Sequence, residues 1–142
     1  MKKLMYVVLA VLMILPVIVS CSSAPEGNPV AVNDFQVISY ADAFAEDGTK
    51  SEDLAVSLYS GTATAYVPEG ETMTLKHVIE GYVYDNGVDA VTNDAGTMYE
   101  SFSGYANDPA NGFFWNFYVN GKECSLSTEV KPEDVIKVVY EK

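Results

Sequence analysis

The chain has 142 residues, with 8 lysines, no arginine and 20 acidic residues, for a formal net charge of −12. That balance excludes nucleic acid as a partner, because a polyanion is repelled and the bidentate contacts that arginine makes to phosphates and base edges are missing. Catalytic chemistry is equally sparse: there is one histidine, His77, and no Gly-x-Ser-x-Gly turn, phosphate loop or dinucleotide fingerprint, so the expectation is a protein that is not an enzyme.

In chain order, Met1-Lys2-Lys3 makes a basic start, Leu4 to Val19 is an apolar run broken by Pro16, and Ile18-Val19-Ser20 leads into Cys21. A membrane-spanning helix needs about 20 apolar residues, more than this run supplies. The pattern resembles a bacterial lipoprotein signal peptide, with Ile18 where such signals usually carry Leu and Ser20 at the small position. The resemblance implies a signal peptide over residues 1–20, cleavage before Cys21, and lipidation of Cys21. Acyl chains there would hold the protein to a cell membrane, exposed outside the cytoplasm. The mature chain keeps six lysines against twenty acidic residues, a net charge of −14, so a lipid tether rather than surface charge must supply attachment. Cys124 is then left without an intrachain partner and reads as a half-buried structural cysteine.

Residues 21–50 read as the lipidated cysteine and a tether. Ser22 to Asn33 is rich in Pro, Gly, Ser and Asn, while the more apolar Phe35 to Phe44 is a candidate extra strand. The folded domain is expected over residues 51–142. Leu54 to Tyr59 alternates, Ser60-Gly61 marks a turn, and Thr62 to Val67 alternates again, which predicts a hairpin. Leu75, Val78, Ile79 and Tyr82 then fall at helical spacing, with Thr72 or Thr74 as N-cap and Gly81 near the end. His77 is placed on the exposed flank of that helix. Asp85-Asn86-Gly87, Asn93 to Gly96 and Asn107 to Gly112 are turn signals, and none reproduces a complete calcium-binding loop, so no metal site is expected.

Phe113 to Gly121 concentrates the aromatic character of the chain and contains its only tryptophan. As a strand it places Phe113, Trp115, Phe117 and Val119 on one face, read as core, and Phe114, Asn116, Tyr118 and Asn120 on the other. Asn120-Gly121 predicts a type I′ hairpin turn. Val135 to Tyr140 closes the chain as a strand with Ile136, Val138 and Tyr140 on one face. Strand pairs around one helix give an α+β class, a mixed sheet of about five strands with the helix on one face.

Trp115 to Lys122, the strand from Asp134 to Tyr140, Glu69 to Thr72 before the helix, and Tyr99 to Gly104 together resemble the transcobalamin-like C-terminal domain family. The resemblance covers roughly residues 54–142 and implies a β-grasp-like fold. It brings forward a corrinoid as candidate ligand, with no cofactor required. In the animal cobalamin carriers a similar domain closes over one side of the corrinoid against a large helical domain, and no helical domain of that kind is expected within these 142 residues. Candidate binding residues are Tyr105, Phe114, Trp115 and Tyr118 as an aromatic platform, with Asn116 and Asn120 as hydrogen-bonding groups. Two functional classes stay open. One is a surface lipoprotein that binds a small molecule, and the other is an interaction or structural module displayed to another envelope protein.

Overall fold

A computed structural model describes residues 24–142, so Cys21 and the expected signal peptide lie outside the described residues. The fold is α+β and β-grasp-like. Strands β1 (Asn28–Ser39), β2 (Val56–Val67), β6 (Phe114–Val119), β7 (Lys122–Cys124) and β8 (Val135–Glu141) form a five-stranded sheet in the order β2-β1-β8-β6-β7. The central pair, β1 with β8, is parallel, and the other pairs are antiparallel. Helix α1 (Leu75–Asn86) and a small sheet of β3 (Ala90–Thr92), β4 (Tyr99–Phe102) and β5 (Tyr105–Ala106) cover one face of the large sheet.

Two expectations about the first half of the chain need correction. The tether gives way at Asn28 to a strand that lies inside the sheet, so the domain begins near residue 28 rather than 51. Pro29 is tolerated there because β8 pairs only from Asp34 onward, leaving the first half of β1 bonded on one side alone. The hairpin expected at Ser60-Gly61 does not form. β2 runs straight through, with Gly61 opposite Phe35; Leu58 is an extra residue in β2 opposite the Val37–Ile38 step, and one extra residue sits in β1, where the register shifts between Val32 and Phe35. This bulge returns both Val32 and Phe35 to the buried face, although two residues separate them.

The helix follows the expected spacing. Thr74 is its N-cap in a capping box with His77, whose Nδ1 accepts the Thr74 N–H at 3.0 Å, and Gly87 ends it in the left-handed conformation at φ 60°. Leu75, Val78, Ile79 and Tyr82 are all buried. Gly81 lies where α1 meets β2, and a Cβ there would come 1.7 Å from the Thr64 carbonyl oxygen. Only a glycine lets the two backbones approach so closely. Tyr66 reaches the helix from β2, its hydroxyl donating to Asp85 at 2.8 Å.

On the aromatic strand, alternation works as expected. Trp115 and Phe117 are buried against Phe102 and Tyr99 of the small sheet. The turn after Val119 has φ 51° at Asn120 and 78° at Gly121, the two positive values that a type I′ hairpin requires. In β8, Ile136, Val138 and Tyr140 all face the core.

Candidate functional site

The same period of two that sends Trp115, Phe117, Ile136, Val138 and Tyr140 inward sends Phe114, Asn116, Tyr118, Lys137, Val139 and Glu141 to the outer face of the sheet. That face is partly covered. After β1 the chain turns at Tyr40, whose N–H donates to the Tyr140 carbonyl at 2.8 Å, and a strap over residues 40–55 crosses the sheet. Tyr40, Ala43 and Val139 form a small apolar cluster under it, flanked by Ile38, Phe44 and Tyr118.

A polar network holds the strap in place. The Lys50 ammonium donates to Glu141 Oε2 at 2.8 Å, sits 3.5 Å from Glu52 Oε1, and lies 3.7 Å above the centre of the Tyr40 ring. The Tyr40 hydroxyl donates to Glu52 Oε2 at 2.5 Å, and the Tyr118 hydroxyl makes a short hydrogen bond to Glu141 Oε1. The hydrogen bond to Glu141 raises the Tyr118 phenol above its ordinary value, with burial and the Glu141 charge adding to it. For Tyr40, burial is the leading cause of a rise, followed by the bond to Glu52. Burial works against the Lys50 ammonium, but the Glu141 bond and charge outweigh it and raise its value. Both phenols are therefore neutral donors and the lysine a fixed cation at physiological pH.

Between the strap and β6–β8 lies a groove of about 280 Å³, lined by Tyr40, Lys50, Tyr118, Lys137 and Glu141 above a floor of Ile38 and Val139. It offers aromatic surface, a carboxylate and two ammonium groups within one concavity. Phe114, 36% exposed, stands on the same face, opposite Glu141 in the neighbouring strand.

Of the six residues expected to bind a ligand, the fold brings together Phe114, Asn116 and Tyr118. The others belong elsewhere. Trp115 is only 4% exposed, and its indole N–H donates to the Tyr105 carbonyl at 2.9 Å, so it is a satisfied core residue. Tyr105 packs on the inner side against Trp115 and Tyr140. Asn120 spends its amide on the turn, donating to Asp134 Oδ1 and accepting the Val135 N–H, each at 2.9 Å. An aromatic platform joining Tyr105 and Trp115 to Phe114 is thus ruled out by alternation, since the sheet separates them. Tyr40, Lys50, Lys137 and Glu141 were missed. Lys137 and Glu141 carried a signal in their spacing from Val139, whereas Tyr40 and Lys50 arrive through the strap.

Two further recesses lie away from this face. One, of about 610 Å³, opens between α1 and β3, with Val83, Tyr84, Val88, Ala90 and Tyr99 in its wall and Pro25 beside them. The other, of about 460 Å³, adjoins the start of α1 around His77, Thr97, Ser125 and Ser127. His77 is half-buried rather than solvent-facing. Its Nδ1 serves the helix cap and its Nε2 lies 3.3 Å from Glu71. Cys124 is free and half-buried, and burial pushes its thiol up. Among the described residues no group of three or more His, Cys, Asp or Glu side chains converges as a metal site. No family model matches this chain, and no curated protein matches it at a significant level.

Proposed function

We propose that this chain is a binding module of the bacterial cell envelope, tethered to the membrane through lipid on Cys21 and working without catalysis. The observation that carries the binding reading is the outer-face groove with Phe114, Asn116 and Tyr118 beside it, where exposed aromatic surface adjoins fixed charges of both signs. Apolar contact with a few convergent polar groups is the composition of a recognition surface.

A corrinoid is the ligand class that the resemblance to transcobalamin-like domains brings forward. A planar macrocycle edged with amides could rest on Phe114 and place an amide among Lys50, Lys137 and Glu141. The groove of about 280 Å³ takes only such an edge, which makes weak binding, or binding completed by a second protein, the expected behaviour. The same small volume and the exposure of Phe114 favour the second reading, an interaction module whose partner is another envelope protein.

Calorimetric titration of the full chain with several corrinoids tests the first reading. Saturable heat that is lost in both Phe114→Ala and Lys137→Glu supports it. Absence of heat with every corrinoid, together with cross-linking from position 114 to an envelope protein, would replace it by the second. The anchor is tested separately by the mass of the mature N-terminus: an unmodified Cys21 would remove the lipoprotein reading.

A further inference from the structure

The described chain enters the domain at a fixed place. Gly27 is pressed against Val67, so closely that a Cβ on it would lie 2.4 Å from the Val67 carbonyl carbon, and Pro25 lines the cleft between α1 and β3. Only four residue steps separate Pro25 from Cys21, and a fully extended chain covers at most about 14 Å in that distance. A lipid on Cys21 therefore cannot lie far from the α1–β3 cleft.

The groove lies toward the other end of the molecule. β1 starts beside this entry point, with Asn28 paired to Val67, and runs to Ile38, which forms part of the groove floor. Ten steps along a strand make roughly 30 Å. The first part of β1 pairs with β2 alone, so the entry end projects beyond β8, β6 and β7. The groove is also on the outer face of the sheet, whereas α1 and the small sheet occupy the inner one.

From these placements, and resting on the lipoprotein reading of Cys21, we infer that the domain stands on the membrane with its α1–β3 cleft proximal and the Tyr118 groove distal. β1 acts as the spacer. The groove is then presented to water-borne ligands or to partners reaching in from outside, and is turned away from components embedded in the same membrane. Glu80 and Asp89 on the cleft rim disfavour close contact with anionic head groups, so the proximal end is held near the lipid without entering it.

Site-specific quenching tests this orientation. In a Cys124→Ser background, Glu69→Cys places a fluorophore just past the end of β2 at the entry end, and Glu46→Cys places one on the strap; both positions are exposed. A lipidated Cys21 has no free thiol to compete for label. The full-length lipidated protein is reconstituted into phosphatidylcholine vesicles that carry a head-group-linked quencher. The expected result is loss of most emission from position 69 and little from position 46. Equal loss, or greater loss at 46, with lipid present on Cys21 by mass, overturns the orientation while leaving the anchor intact. A Cys21 that carries no lipid removes both.

Discussion

The two faces of the central sheet are held by different physics. On the inner face, Phe35, Tyr82, Phe102, Trp115 and Val138 pack by shape, and buried polar atoms there turn to main-chain carbonyls: Trp115 Nε1 to Tyr105 and the Tyr140 hydroxyl to Ala106. On the outer face the strap over residues 40–55 is fastened by side-chain charges and phenols, around a much smaller apolar cluster. The inner arrangement supplies stability through buried area, and its polar groups need only be satisfied. The outer arrangement contributes less stability and leaves charged groups beside a groove, where a ligand could engage them.

The largest effect should come from removing β1. A fragment of residues 51–142 lacks the strand between β2 and β8, so we expect no cooperative unfolding transition by circular dichroism, whereas residues 24–142 should show one. A folded 51–142 fragment would mean that the inner core closes without β1. Next in size is Val138→Asp, which buries a carboxylate in the inner core and should cost about 4 kcal/mol or more, measured by denaturant titration. Lys137→Asp, one residue away on the outer face, should cost no more than about 1 kcal/mol. Equal losses would erase the distinction between the faces.

The smallest effect is the response to pH. Tyr118 is raised chiefly by its bond to Glu141 and Tyr99 chiefly by burial, so both contribute stability that is complete below the unfolded phenol value of 10.0. It is lost as pH rises through their higher folded values. In acid, the Tyr40 bond holds Glu52 below its ordinary 4.5, and the Asn120 side chain holds Asp134 below 3.8. Their contributions are complete above those values and lost as pH falls through the lowered ones. Cys124, raised by burial above its ordinary 9.0, begins the alkaline decline, so melting temperature should be flat from about pH 5 to about pH 8.5 (between the values 4.5 and 9.0) and fall on both sides. Tyr118→Phe should cost about 1 kcal/mol at pH 7 and make the alkaline decline shallower without removing it, because Tyr99 remains. An unchanged alkaline slope would show that the Tyr118–Glu141 bond contributes nothing there.

The inner face was legible in the sequence to the extent that its signals are local. Period two in Phe113 to Val119, helical spacing from Leu75 to Tyr82, and the turn chemistry of Asn120-Gly121 each act within a few residues. β1 was obscured because its bulge breaks the alternation between Val32 and Phe35 and because Pro29 and Asn33 resemble a tether. Ser60-Gly61 misled for the converse reason, since a glycine facing a bulge has the same letter as a glycine in a turn. Half of the candidate site was legible through the face shared by Phe114, Asn116 and Tyr118. The other half depends on Tyr40 and Lys50, and no local pattern announces that a loop will fold back onto Glu141, 91 positions from Lys50.

The parallel pairing of β1 with β8 also governs when the domain can form. Asp34 meets Val135 and Ser39 meets Tyr140, contacts that span about 100 residues. The sheet cannot close until β8 has been made, and such long-range pairing places folding in the slow range of milliseconds to seconds.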